Sequence, residues 1–100
     1  MRVEFEFDSE RIAARGYTLT DVHGTIQQAF AKYDLPCVAE GEILAFSGRG
    51  RKNDYSYLWV VIMRLVKCQW FLDIASACYW CENGNRVEDI LSQARASHKR

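Results

Sequence analysis

The sequence predicts an α+β fold, an antiparallel sheet with its main helices on one face, and three observations lead there. Val3, Phe5 and Phe7 alternate with Arg2, Glu4, Glu6 and Asp8, the period-2 pattern of a half-buried strand with an acidic outer face. Val22, Ile26, Ala29, Phe30 and Tyr33 recur at helical spacing ahead of Pro36, which stops a helix. The stretch 54–81, DYSYLWVVIMRLVKCQWFLDIASACYWC, holds all three tryptophans and the longest apolar run, and its polar residues sort as a helix first and a strand second.

In chain order, the first strand is followed by a short helical turn through Ala14, capped by Asp8 or Ser9 and ended by Gly16. Thr18-Leu19-Thr20-Asp21 approximates a capping box with Asp in place of Glu, and opens the helix that carries the Val22 to Tyr33 stripe. Gly24 weakens that helix slightly. Residues 37–40 and 42–47 read as two short strands that turn at Glu40-Gly41-Glu42. The polar loop Gly48-Arg49-Gly50-Arg51-Lys52-Asn53 then leads into the apolar run.

A continuous apolar run alone does not separate a buried strand from a buried helix. As a strand, 57–67 would send Arg64 and Lys67 to opposite faces. As a helix at about 100° per residue, Leu58, Val61, Ile62 and Leu65 form one stripe and Trp59, Met63 and Val66 a second. Ser56, Val60, Arg64 and Lys67 then share the remaining face. The β-branched Val60, Val61 and Ile62 favour a strand, but the helical sorting is cleaner. Asn53 or Asp54 caps this helix, Lys67 suits its end, and the second stripe is expected to pack against the Val22 to Tyr33 helix, the alternative being a surface for protein association.

Residues 70–81 alternate as a strand, with Leu72, Ile74, Ser76, Cys78 and Trp80 on one face and Phe71, Asp73, Ala75, Ala77 and Tyr79 on the other. Asp73 marks the second face as nearer water. Asn85-Arg86-Val87-Glu88 resembles a capping box for a terminal helix with Val87, Ile90, Leu91 and Ala94 inward, and the tail 96–100 is expected to fray. The order β-α-β-β-α-β plus a helix is the ferredoxin-like split βαβ arrangement, a two-layer sandwich. Were 57–66 extended, the alternative would be βαβββα with a three-stranded meander.

One hundred residues form a single domain, 1–100, that buries roughly two-thirds of its unfolded surface. A composition of 49% hydrophobic and 26% charged residues excludes general disorder. The 13 cations and 13 carboxylates cancel, so no global charge draws the chain to nucleic acid or an anionic membrane. Charges at the N-terminus where a signal peptide needs an apolar core, and no run of membrane-span length, predict a cytoplasmic protein. Cys78 and Cys81 on a strand lie about 10 Å apart, beyond disulfide reach, so reduced and mostly buried thiols are expected.

The segments EILAFSG, WFLDIASACYWC and EDILSQ resemble those of a small uncharacterised family of bacterial proteins of unknown function. The likeness spans most of the chain and rests on apolar core patterns. It implies a bacterial cytoplasmic setting and no activity.

For function, the sheet of a ferredoxin-like domain can stack bases, but Glu4, Glu6 and Asp8 would repel a phosphate backbone, so nucleic acid is disfavoured. Arg49, Arg51 and Lys52 precede a helix start, a place suited to anions, and supply the alternative reading of anion or nucleic-acid binding. Metal binding is not expected, because a strand sends Cys78 and Cys81 to opposite faces, away from any joint ion with Cys37, Cys68 or His23. No cofactor is implied. Neither His23, read as lying on the outer side of its helix, nor His98 in the tail has a visible nucleophile or orienting partner among carboxylates such as Asp21, Asp34 and Glu88, so the chain is read as no enzyme. Protein association remains. The open sheet face is expected to offer Phe71, Asp73, Ala75, Ala77 and Tyr79 beside Glu4 and Glu6, joined by Leu44 and Phe46 or by Ile43 and Ala45. Such an apolar strip rimmed by charge suits a homodimer or another protein.

Overall fold

The computed structural model describes residues 1–98. Strand β1 (Arg2–Phe7) leads through α1 (Ser9–Ala14) and α2 (Leu19–Ala31) to the short strands β2 (Cys37–Ala39) and β3 (Leu44–Ser47). Helices α3 (Asp54–Leu65) and α4 (Gln69–Ile74) follow, then β4 (Ala75–Glu82), β5 (Asn85–Asp89) and α5 (Ile90–His98). The fold is α+β, with one antiparallel sheet in the order β2-β3-β1-β4-β5. No helix among the described residues is long and apolar enough to cross a membrane.

The period-2 pattern of β1 decides which sheet face is inner. Val3 lies between Phe46 and Trp80 on the neighbouring strands, and Phe5 between Leu44 and Cys78, so all six point to the helices. Phe30 of α2 stacks on Phe46 with ring centroids 4.0 Å apart, and Phe5 meets Phe30, Phe46 and Phe71 edge-on. Each such buried ring contributes about 1.5–3 kcal/mol by leaving water, and its geometry adds directionality.

Local signals act where the sequence places them at the first two helices. Asp8 accepts from the Glu10 and Arg11 amides, and Thr18 with Asp21 forms a complete capping box. At α3 the cap differs: the Asn53 side chain makes no capping bond, and Asp54 is fully buried, accepting backwards from the loop. Its Oδ2 takes the Arg49 and Arg51 amides at 2.6 and 2.9 Å, and its Oδ1 takes Arg51 Nε at 2.9 Å. Arg51 Nη2 donates onward to the carbonyls of Tyr33 and Asp34 past the end of α2. The approach is so close that a Cβ on Gly48 would lie 2.8 Å from Asp54 Cβ and Oδ2, while Gly50 takes a φ of +81°.

Three expectations are corrected. Residues 69–74 form a helix rather than the first half of a strand, because Phe71, Leu72 and Ile74 are all buried, which an alternating strand with one wet face does not allow. Residues 85–89 form β5 rather than a helix start: Asn83 and Gly84 both take positive φ, as a two-residue hairpin turn requires. The terminal helix begins at Ile90, with Asp89 accepting from Ser92 N at 3.1 Å. Lastly, Trp59 and Met63 do not face α2. Tyr57 stacks 5.0 Å from Tyr33 just past the end of α2, Trp59 leans on Trp80 at 5.1 Å, and Val66, the third residue of that stripe, is buried in the core. The tail expected to fray begins at 96. Helix α5 continues to His98, and residues 99 and 100 lie outside the described residues, as does the side chain of His98.

Gly48→Ala should lower stability by about 1–3 kcal/mol, the usual cost of overpacking, because the buried and hydrogen-bonded Asp54 side chain must yield. Thermal unfolding should fall by roughly 4–8 °C per kcal/mol in a domain of this size. Asp54 also predicts an acid sensitivity. Burial raises its pKa, but the hydrogen bonds from the Arg51 and Arg49 amides and the Arg51 guanidinium outweigh burial and hold the carboxyl below its ordinary value. A folded value below the unfolded one gives stability that is present above about pH 4 and lost as pH falls through the folded value. Urea unfolding at about pH 7 and about pH 3 should therefore show a larger acid loss in the wild type than in Asp54→Asn.

Candidate functional site

The outer sheet face carries Glu4 beside Ala45 and Tyr79, Glu6 beside Ala77, and Arg2 beside Cys81. Long charged side chains cover it. Arg2 Nε lies 3.0 Å from Glu4, and Arg86 reaches both Glu4 at 3.4 Å and Glu6 at 3.7 Å with its guanidinium 4.2 Å above the Tyr79 ring. Of the residues expected to form an apolar strip there, Glu4, Glu6 and Tyr79 do come together with Ala77. Phe71 does not: it is 0% exposed within α4. Ala75 is buried opposite Phe7 after a register shift, and Asp73 lies on α4, paired to Arg15 at 2.7 Å. Leu44 and Phe46 point inward, leaving Ala45 outward. The helix at 69–74 is the physical reason, since it rotates Phe71 and Asp73 off the sheet altogether.

The basic loop is similarly engaged. Arg51 closes on Asp54, Asp34 and two carbonyls, and Arg49 Nη2 lies 3.7 Å from Asp34. The loop amides that would greet an anion already hold the Asp54 carboxylate. Lys52 is exposed.

His23 is buried rather than outward, with Nδ1 3.3 Å from Glu40 and its ring beside Phe7. Helix α2 presents Val22, His23, Ile26 and Phe30 inward, a wider buried arc than the apolar stripe alone marks. Cys78 and Cys81 fall on opposite faces of β4, opposite Phe5 and Arg2. Among the described residues no three His, Cys, Asp or Glu side chains are placed to hold a metal ion.

Among the described residues, several exposed large apolar side chains gather on the outward side of α3. Tyr55, Trp59 and Met63 recur every four residues, with Val60 beside them. Tyr55 is 54% exposed, Val60 39% and Met63 45%. Trp80 of β4 backs the stripe, with Tyr55 edge-on at 5.5 Å and Trp59 tilted at 5.1 Å, so the aromatic end is held rigid. The charged residues exposed by α3 and its C-terminal turn are the cations Arg64 and Lys67. Trp59 and Met63 were visible in the sequence as a separate stripe. They were expected to lie under α2, and Met63 is instead exposed.

Compared with known protein families, curated proteins and solved structures, the chain matches none.

The four thiols differ in reactivity. Burial, then the charges of Asp89 and Cys81, push the Cys78 thiol far up. Burial and Glu4 raise Cys81 against the opposing Arg2 and Arg86. Cys37 is exposed and Cys68 half-buried. Alkylation of the folded protein should modify Cys37 first and leave Cys78 and Cys81 unmodified until denaturant is added, an order that peptide mass spectrometry reads directly.

Proposed function

We propose that the chain is a non-catalytic association module of a reducing cytoplasm, and that its docking surface is the outward stripe of α3. The observation that carries this reading is the run Tyr55, Val60 and Met63, large side chains left exposed on one helix, with the half-buried Trp59 among them and Trp80 bracing the aromatic end. Aromatic residues and methionine are enriched at the centres of protein interfaces, where rigid anchors lose little entropy on binding. The partner is a protein segment that lays an apolar helical face along α3 and carries carboxylates to meet Arg64 and Lys67. Charge favours such a partner over a second copy, because two α3 helices face to face bring like charges together. The sheet face is less suited to self-association than the sequence suggests, since ion pairs occupy it.

We further infer that β2-β3-β1-β4 with α2 and α3 is a ferredoxin-like frame to which β5 and α5 are added. Supporting this are the antiparallel strand order, a helical connection from β1 to β2 and another from β3 to β4. The free state of all four thiols fits a reducing compartment.

The test uses a synthetic acidic amphipathic peptide without tryptophan, titrated while the protein's own tryptophan fluorescence is followed. A saturable change that Val60→Glu or Met63→Glu weakens at least about tenfold, or about 1.4 kcal/mol, supports the reading. Both positions are exposed, and circular dichroism checks that the variants remain folded. The absence of a saturable change, or equal binding by the variants, contradicts it. A light-scattering mass of twice 11.6 kDa that Met63→Glu abolishes would replace the foreign partner by a second copy.

A further inference from the structure

A cleft of about 590 Å³ lies where α1, α4 and α5 meet. Three guanidiniums line it: Arg11 and Arg15 from the first helix and its cap, and Arg95 from the last. Arg11 and Arg15 are four residues apart, so they share one side of the turn, where like charges repel.

Their partners are unequal. Arg95 is fixed, its Nη2 donating to the carbonyls of Leu72 at 2.9 Å and Ala75 at 2.7 Å. Arg15 pairs through Nη2 with Asp73 Oδ2 at 2.7 Å, and Gln69 Nε2 donates to Asp73 Oδ1 at 2.9 Å. The single carboxylate lining the cleft is thus engaged at both oxygens. Arg11 has only long contacts, 3.5 Å to the Asp73 carbonyl and 3.6 Å to Asp8, and its side chain is mostly exposed. Three positive groups therefore surround one occupied negative one.

We propose that this cleft binds the phosphate group of a small molecule, with Arg11 and Arg15 as the grasping residues and Arg95 as the fixed charge behind them. A planar carboxylate offers only two oxygens, and Asp73 divides its pair between Arg15 and Gln69, leaving Arg11 without a close anionic partner. Donors converging from separate elements call for the additional oxygens and charge of a tetrahedral anion. The cleft volume falls within the range of about 300–1,000 Å³ usual for small-molecule sites, which leaves room for more than the phosphate itself. The site is independent of the α3 surface and stands or falls separately.

The test is isothermal titration of the full chain with inorganic phosphate at constant ionic strength. One saturable site per chain is expected. Arg11→Gln and Arg15→Gln should each weaken it at least about tenfold, the loss of one charge-assisted hydrogen bond. Arg11→Gln removes no buried contact and so keeps the fold. The pair Arg49→Gln and Lys52→Gln, in the other basic segment, should leave binding unchanged. Heat that does not saturate, binding equal to wild type in Arg11→Gln and Arg15→Gln, or a loss confined to Arg49→Gln with Lys52→Gln would each overturn the proposal.

Discussion

The Asp54 carboxylate is fully buried among the Arg49 amide, the Arg51 amide and the Arg51 guanidinium, and Arg51 in turn holds the Tyr33 and Asp34 carbonyls. That arrangement ties three parts of the chain to one point: the exit of β3, the end of α2 and the first residue of α3. A buried charge is costly unless every lone pair is met, so the geometry admits little variation. It also explains the composition of the loop. Gly48 leaves room for the carboxylate, Gly50 makes the left-handed turn, and Arg51 supplies the balancing charge. The motif that reads as an anion site is one whose anion comes from the chain itself.

With its start fixed in this way, α3 has no freedom to roll. One side buries Leu58, Val61, Ile62 and Leu65 in the core, and Tyr57 stacks on Tyr33. The opposite side is left with Val60 and Met63 in water, and Trp80 anchors Tyr55 and Trp59 at the flank. The exposed stripe thus follows from the same constraint that shapes the loop. On the outer sheet face Arg2, Glu4, Glu6 and Arg86 form ion pairs, and surface pairs of this kind add little stability.

Much of the fold was legible because local pattern and tertiary environment agree. The alternation of Val3, Phe5 and Phe7, the Thr18 capping box and the Leu58, Val61, Ile62 and Leu65 stripe of α3 all meet their expected surroundings. The reading failed where two signals compete. Between 70 and 81 an alternating pattern concealed a turn of helix whose Phe71, Leu72 and Ile74 are buried together. At 83–89 a capping-box likeness outweighed Asn83-Gly84, a stronger hairpin signal, and the true cap lay at Asp89. Of the stripe Trp59, Met63 and Val66 that stood in the sequence, Met63 is exposed, Trp59 is half-buried and Val66 is buried, and Tyr55 had no sequence signal as their neighbour. The grouping of Arg11, Arg15 and Arg95 had no sequence signal at all, because only the packing of the first and last helices against α4 brings it about.

The most direct measurement of the central constraint is hydrogen exchange of individual backbone amides by nuclear magnetic resonance. If the Asp54 carboxylate organises the loop, the Arg49 and Arg51 amides exchange slowly, alongside the core of α3, although both residues lie in a polar surface loop. Their protection should vanish in Asp54→Asn. Exchange of both amides at the rate of an unstructured peptide, with α3 protected as usual, would contradict the account.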